Sequence, residues 1–421
     1  MQREWVYDTN SSMVADLVLA GGISETDLQE FLFRELRRIP LEGRDVLVIV
    51  PDDTRTLPMP TLFACLDSAL SSRANKLTYL VAGGTHSHMT ERELGEHLGA
   101  DWRKSRGAVL QHEWERPDAL VQIGKLERRY VRQLSGGVID EDVPIRTNRL
   151  VLEHDLVLLV GPVYPHELVG FSGGYKYFFP GISGPEMVHQ SHWLGSLAVF
   201  PGLHGHKYTR VREMIHRAAA LVPTETKGIS LVMDGRKLIG VFTGPVEAAW
   251  EKAVDLSAQV NIIRVERPFQ TVIACVPTCF KDLWTGAKCM AKLEGVVADG
   301  GTLVLHAPHI QQPSLSHGDW HRKIGYHLRQ YVLENLESLR DVPKAVLGDL
   351  IQLRGTGVVK NGKEFPRIRV VLASAVSEDE CMQMNLEYQD PCSIKVEDYE
   401  GRQEQGILVV REAGEQLWKL I

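Results

Sequence analysis

Short apolar runs alternate with helix-like segments along most of this sequence. Asp45 to Val50 is typical of a buried strand and Pro60 to Ser71 of a helix, and a second strand and helix follow at Leu77 to Ala82 and Thr90 to Leu98. This alternation is typical of βαβ units, in which consecutive strands lie parallel. The sequence therefore predicts an α/β fold with largely parallel sheets.

The same pattern continues to the C-terminus. In the first half we expect a strand at Leu156 to Val160, a hairpin at Ile229 to Val241 and a helix at Val246 to Val260. In the second half the expected elements are a strand from Thr271, a helix from Leu283 to Val297, a strand at Thr302 to His306, helices between His321 and Leu353, and strands at Ile368 to Ala373 and Ile407 to Val410.

The chain length favours two domains. At 421 residues it exceeds the size at which one hydrophobic core usually keeps growing. The break in the pattern near Asn261 to Pro268 places the boundary, with an N-terminal α/β domain at 1–265 and a C-terminal one at 266–421, whose last strand is a candidate to pack back on the first domain. We expect an active-site cleft between the two.

Composition excludes several classes of protein. The net charge of -7 argues against a nucleic-acid-binding protein, which carries clustered Lys and Arg. The N-terminal segment MQREWVYDTN has no apolar run typical of a secretory signal, and no stretch is apolar enough to span a membrane. The six cysteines are scattered, as in reduced proteins. We therefore expect a cytoplasmic protein.

Two polar motifs follow predicted strands. The first contains Asp52, Asp53, Thr54 and Arg55, and Arg55 could pair with a carboxylate or phosphate. Ligands bind beyond the carboxyl ends of strands in open α/β sheets, so the motif suits a site. An Asx turn with a solvated arginine is an equally good interpretation of this segment alone.

The second motif, Gly83-Gly84-Thr85-His86-Ser87-His88, also follows a strand. Glycines allow backbone N–H groups to approach an anion, and a histidine can transfer a proton near neutral pH. A structural turn with exposed histidines is the alternative.

The most informative segment runs from His166 to His192, HELVGFSGGYKYFFPGISGPEMVHQSH. Lys176 lies between two Gly-containing turns in an aromatic setting, where a desolvated lysine can act as a nucleophile or anchor a cofactor. A helix that starts near Pro185 places His189 and His192 on one face. Their spacing differs from the familiar zinc helix, which ranks a hydrolytic zinc site low.

A fourth motif begins a predicted helix in the second domain. Trp284 and Lys288 are four residues apart and share a face. Taken alone, a core tryptophan beside a surface lysine is the simpler interpretation.

In combination and in this order, the four motifs resemble the lactate racemase family that uses a nickel-pincer nucleotide. The resemblance spans roughly Asp52 to Lys288. Its most specific part is the block from His166 through Lys176 to His192. It implies an isomerase that racemises or epimerises a 2-hydroxy acid by proton-coupled hydride transfer.

The resemblance also implies a cofactor, a pyridinium-3,5-bisthiocarboxylic acid mononucleotide that holds nickel. Lys176 matches the lysine to which it is covalently attached, and His192 fits the nickel ligand better than His189. Asp52, Thr54 and Gly174 are expected to contact the cofactor. Other proteins must synthesise it, so cofactor biosynthesis proteins are the expected partners, beside the small-molecule substrate.

Catalytic and substrate-binding roles follow from the same resemblance. His86 and His166 match the two histidines that exchange the hydroxyl proton, one for each face of the substrate. Arg55 and Lys288 match the cations that hold the substrate carboxylate.

The sequence departs from the family pattern at two places. Ser87 and His88 follow His86, where an arginine is frequent, and Trp284 with Thr285 replaces a tyrosine and a glutamine. Trp284 and Thr285 are expected to shape the substrate pocket, so lactate, a dicarboxylate or a sugar acid all stay open. His88 also competes with His86 as the base.

Two other functions stay open. A zinc-dependent hydrolase or lyase could use His86, His88 and His166. A non-catalytic protein could bind the nucleotide cofactor, although it would not need the two histidines.

Overall fold

The computed structural model describes residues 14–198 and 203–421. Its strands are β1 (Ala15–Val18), β2 (Asp45–Pro51), β3 (Lys76–Ala82), β4 (Ala108–Gln111), β5 (Leu120–Leu126), β6 (Val143–Asn148), β7 (Leu156–Pro162), β8 (Pro165–His166), β9 (Gly170–Phe171), β10 (Glu225–Asp234), β11 (Lys237–Gly244), β12 (Ile262–Val265), β13 (Phe269–Cys275), β14 (Val297–Ala307), β15 (Gly357–Lys360), β16 (Lys363–Pro366), β17 (Arg369–Ser374), β18 (Glu387–Tyr388), β19 (Ile407–Val410) and β20 (Leu417–Leu420). Its helices are α1 (Glu25–Arg37), α2 (Met59–Leu70), α3 (Glu91–Leu98), α4 (Arg128–Ser135), α5 (Pro185–Ala198), α6 (Arg210–Ala219), α7 (Val246–Asn261), α8 (Leu283–Leu293), α9 (Gly318–Ile324), α10 (Arg329–Glu334), α11 (Lys344–Asp349) and α12 (Glu378–Gln383).

Two sheets organise these elements. The larger has seven strands in the order β1-β11-β10-β7-β2-β3-β4, and its five strands from β10 to β4 run parallel. The smaller has five strands in the order β18-β17-β14-β13-β19, all parallel. The predicted α/β class with largely parallel sheets is therefore confirmed.

The central strands form where the sequence is continuously apolar. Strand β7 is buried along its whole length and β2 after its first residue, because helices cover both faces of the larger sheet. Helix α3 starts at a capping box in which Thr90 and Glu93 bond each other's backbone N–H groups. The predicted helix from Leu283 to Val297 was too long, since α8 ends at Leu293 and Val297 already begins β14.

The two sheets are joined through shared packing. Strand β20 near the C-terminus pairs with β12, which directly follows α7. Val332 and Leu350, from the region of α10 and α11, belong to the same hydrophobic cluster as Leu159 of β7 and Leu194 of α5. Packing from both parts of the sequence therefore joins the two sheets.

Candidate active site

A cleft lies where the larger sheet faces α8 and α11. The segments that follow β2, β3 and β7 line one side, through Asp52, His86 and His166, and Trp284 and Lys288 of α8 line the other. The empty space within it is about 960 Å³, part of which is open solvent. The parallel strands end together here, which is why three separate sequence motifs meet.

Asp52 holds His86 in one orientation. His86 Nδ1 lies 2.5 Å from Asp52 Oδ2, and the other carboxylate oxygen accepts from Thr54 N–H at 3.2 Å and from its hydroxyl at 2.6 Å. Burial alone would raise the pKa of Asp52, but His86 and Arg55 hold it well below its usual range. The ionised carboxylate fixes the proton of His86 on Nδ1, which leaves Nε2 as a proton acceptor.

His166 is more deeply buried, at 7% exposure. The Leu168 N–H donates to His166 Nδ1 at 3.1 Å, so in the neutral ring the proton lies on Nε2. Burial, followed by the charges of Lys176 and Arg55, lowers its pKa well below the ordinary value. Both candidate histidines therefore line the cleft, with Nδ1 of His86 facing a carboxylate and Nδ1 of His166 facing a backbone N–H.

Lys176 follows a glycine turn that has no room for side chains. A Cβ on Gly173 would lie 2.7 Å from Val163 Cγ2, and one on Gly174 would lie 3.0 Å from Trp250 Cγ. Both glycines have positive φ, at +79° and +58°. Glycine at both positions therefore allows the backbone of the turn to pack directly against Val163 and Trp250.

A buried arginine fixes the backbone of that turn. Arg212, 1% exposed, donates to the carbonyls of Phe171 and Gly173 and stacks over Trp250 at 4.3 Å. Trp250 Nε1–H donates to Ser172 O at 2.8 Å. These bonds satisfy three consecutive carbonyls of the turn and set the position of Lys176.

The amine of Lys176 is electrostatically activated. Desolvation, with the nearby charges of Arg55 and Lys288, lowers its pKa to about 7. No described residue forms a hydrogen bond or ion pair with the amine, across 14–198 and 203–421. A lysine in this state is nucleophilic near neutral pH.

His192 has the tautomer that a metal ligand needs. Its Nδ1–H donates to Val188 O at 2.8 Å within α5, so Nε2 carries the lone pair. Burial lowers its pKa to about 4, which keeps the ring neutral. His192 lines the cleft, whereas His189 does not.

Two cations in the cleft lack carboxylate partners in the described part of the chain. Lys288 Nζ lies over the Phe280 ring at 5.5 Å, and Arg55 donates only to Thr54, at 3.3 Å. Burial and the charge of Arg55 lower the pKa of Lys288. An incoming carboxylate would relieve this repulsion.

Other residues singled out in the sequence also lie outside the cleft lining. His88 is exposed and its Nε2–H donates to His112 O at 3.1 Å, so geometry favours His86 over His88. Gly174 packs on Trp250, and Gly173 lines the cleft instead. Thr54 supports Asp52, and the Thr285 hydroxyl is bonded to Asp282 at the mouth of the cleft.

The structure also brings in residues that the sequence motifs did not indicate. Glu167, Tyr177, Asp349 and Gln352 line the cleft. Asp349 accepts from His321 Nε2–H at 2.7 Å. Glu167 and Tyr177 stand next to His166 and Lys176 in the sequence, a signal that could have found them; Asp349 and Gln352 are distant along the chain and carried none.

Two features are absent from the described residues. Within 14–198 and 203–421, no three His, Cys, Asp or Glu side chains are placed to share one metal ion. In the same ranges, no helix combines the length and apolar character that a bilayer span requires.

Comparisons with known proteins agree on one family. Residues 29–199 match the model of the lactate racemase N-terminal domain. The lactate racemase of Lactiplantibacillus plantarum is 27% identical over 284 residues, 65% of this chain and 62% of that protein. The chain thus matches less than two thirds of that relative's length.

Solved structures extend the similarity to the whole fold. A Thermotoga maritima protein superposes with a TM-score of 0.88 at 31% identity, over 94% of this chain and 98% of the other. The lactate racemase apoprotein of Thermoanaerobacterium thermosaccharolyticum superposes with a TM-score of 0.70 at 18% identity, over 94% and 93%, and shows the shared fold. The protein is thus a two-sheet α/β protein with a cleft at the strand ends. The comparisons support a relationship to the lactate racemase family, through its N-terminal domain.

Proposed function

We propose that this chain racemises or epimerises a small 2-hydroxy acid with a nickel-pincer nucleotide attached to Lys176. The observation that carries the proposal is the meeting of five groups in one cleft. His86 and His166 are proton carriers, Arg55 and Lys288 are cations without a carboxylate partner among the described residues, and Lys176 is an activated amine.

The residues present fit the proposed cofactor. Lys176 offers a nucleophilic amine for covalent attachment, and His192 offers Nε2 to nickel while a backbone carbonyl holds its Nδ1–H. When bound, the group supplies a centre that takes up and returns the C2 hydride of the substrate. Because no three protein ligands converge within the described ranges, the remaining metal ligands would come from the nucleotide.

The chain itself binds the substrate and moves the proton. Arg55 and Lys288 hold the carboxylate, which fixes C2 and its hydroxyl in the cleft. His86 takes the hydroxyl proton at Nε2 in one direction, and His166 serves the opposite hand. Inversion at C2 needs both histidines, because the hydroxyl groups of the two enantiomers point to opposite sides of the bound substrate.

The zinc reading has less support. It required His86, His88 and His166 together, and His88 is turned to the His112 carbonyl outside the cleft. A non-catalytic carrier would not require an Asp52-held base beside the cofactor lysine. A cytoplasmic location and partnership with cofactor biosynthesis proteins stay predictions.

The test is an assay with C2-deuterated 2-hydroxy acids on protein co-expressed with a pincer-cofactor biosynthesis system. We expect the opposite enantiomer to form and to keep its deuterium in ordinary water. Loss of the label would indicate proton abstraction from carbon and contradict the proposal. His86→Gln should lower kcat/KM by roughly a hundredfold or more, whereas the matched control His88→Gln should leave it nearly unchanged.

A further inference from the structure

Glu167 is a buried carboxylate with an unused oxygen. The side chain is 6% exposed, and its Oε2 has no hydrogen-bond partner among the described residues. Buried polar atoms in native proteins are nearly always bonded, and an orphan carboxylate oxygen is costly. Glu167 Oε2 lies 3.4 Å from His166 Nδ1.

His166 Nδ1 therefore has two neighbours with opposite requirements. The Leu168 N–H, at 3.1 Å, can bond only a bare Nδ1. Glu167 Oε2 can bond only a protonated Nδ1. Each neighbour suits one tautomer, and the tautomer decides whether Nε2 donates or accepts a proton.

His86 and His166 differ in the partner of their Nδ1 atoms. His86 Nδ1 lies 2.5 Å from the Asp52 carboxylate, so in the neutral ring Nε2 is the acceptor. With Leu168 as its partner, His166 carries the proton on Nε2 and cannot act as a base there. The reverse tautomer forms when the Nε2 proton passes to water in the open cleft and Nδ1 takes up a proton from water, which it then shares with Glu167.

We propose that Glu167 is a positioning residue that makes His166 a base by accepting its Nδ1 proton. Nε2 of His166 then takes the hydroxyl proton: the substrate O–H bond breaks, the Nε2–H bond forms, and the Nδ1 proton stays shared with Glu167. On return, Nε2–H is given back and the carboxylate keeps its charge. This role rests on the proposed racemase function.

The surrounding charges keep Glu167 ready to accept. Lys176, Arg55, Lys288 and Lys292 face His166 and, with burial, lower its pKa. Burial raises the pKa of Glu167, but Lys288 and Lys292 outweigh it and hold the carboxyl in its ionised form. The cations thus destabilise the protonated form of His166, and the negative charge of the Glu167 carboxylate offsets their repulsion.

The first experiment uses the chain without cofactor. Ring-nitrogen NMR of 15N-histidine-labelled protein, with the His166 signals assigned from a His166→Gln variant, reports the tautomer directly. We expect the wild type to populate both neutral tautomers of His166, because Leu168 and Glu167 compete for Nδ1. Glu167→Gln should shift this population toward the Nε2–H tautomer by at least about tenfold, and Glu167→Asp should lie between. The control Asp52→Asn should change the His86 signals and leave those of His166.

The second experiment uses loaded enzyme. Glu167→Gln should lower kcat about tenfold or more with little change in KM, and move the acid limb of the kcat profile to lower pH, because His166 loses its anionic partner. A purely structural effect of the substitution would not shift the acid limb of the kcat profile. Identical His166 signals in wild type and Glu167→Gln overturn the role of Glu167 even if racemisation is found. A loaded wild type that racemises no 2-hydroxy acid overturns the function itself.

Discussion

At the scale of single residues, the cleft concentrates charges that shift one another. Arg55 and Lys288 destabilise the protonated form of Lys176, and Asp52 is held ionised beside His86. Measurements of reactivity or activity as a function of pH therefore test these residues most directly.

The lowered pKa of Lys176 predicts selective acylation. Its amine is protonated below, and free above, about pH 7, so labelling by a small acylating reagent should reach half its maximum near that pH. Peptide mass spectrometry across a pH series measures this. Lys125, whose pKa is raised by its hydrogen bond to Asp142, is the internal control and should label only at higher pH. Parallel profiles for the two lysines would contradict the prediction.

Asp52→Asn should remove most activity of the loaded enzyme. The amide cannot stabilise the protonated His86 ring, and a fall in kcat/KM of roughly a hundredfold or more is expected. Asp53→Asn is the matched control, since Asp53 pairs with Lys281 at 2.9 Å and does not line the main cleft. Equal losses in the two variants would argue against the Asp52 and His86 pair.

The sequence identified site residues that belong to recognisable local motifs. It missed residues that reach the cleft from distant parts of the chain. Lys176, His166 and His192 stand in one block, and the structure places all three in the cleft. Asp349 reaches the cleft from a part of the chain whose helix boundaries were only loosely predicted. A long-range pair such as His321 with Asp349 leaves no local pattern.

At the scale of elements, the segment between β9 and α5 sets the geometry of the site. Gly181 lies where the chain passes beside the short 3₁₀ helix at Gly174–Tyr177. An added Cβ would lie 2.4 Å from Tyr177 O and 2.9 Å from Lys176 O, both backbone atoms that cannot easily move. Position 181 therefore has no room for a residue larger than glycine.

Gly181→Ala should therefore lower the free energy of unfolding by about 1–3 kcal/mol and displace Lys176. Denaturant unfolding measures the first effect, and the extent of Lys176 acylation measures the second. Gly21→Ala is the control, because nothing lies within 4 Å of its added Cβ. A Gly181→Ala variant as stable as the control would show that the turn can relax.

Elements were predictable where both faces are buried. Strands β2, β3 and β7 are nearly continuous apolar runs, so their existence and order followed from the sequence. Strands β5 and β6 were missed because they mix polar and apolar residues and form a separate two-stranded sheet. Helix α8 ended early because Gly295 and two β-branched valines follow it.

At the scale of the molecule, one hydrophobic cluster joins both parts of the sequence. Leu350, fully buried next to α11, packs in the cluster that contains Leu159 of the larger sheet, and Ser196 of α5 donates to Gly348 O at 3.0 Å. The domain division at residue 265 stays a prediction. The shared cluster instead indicates coupled unfolding.

Leu350→Ala should lower the free energy of unfolding by about 2–5 kcal/mol in a single transition. Tryptophan fluorescence and far-UV circular dichroism, followed through the same denaturant series, should coincide. Leu152→Ala, at a site 42% exposed, is the control and should change little. Two separate transitions, only one of them moved by Leu350→Ala, would show independent domains.

The central claim is that Lys176 anchors a nickel-bearing nucleotide in this cleft. Intact-protein and peptide mass spectrometry with nickel analysis, on chain co-expressed with the pincer-cofactor biosynthesis proteins, tests it most directly. The account predicts a sulfur-containing nucleotide adduct on Lys176, about one nickel per chain, and neither in a Lys176→Arg variant. A fully supplied protein that keeps Lys176 bare and takes up zinc would contradict it.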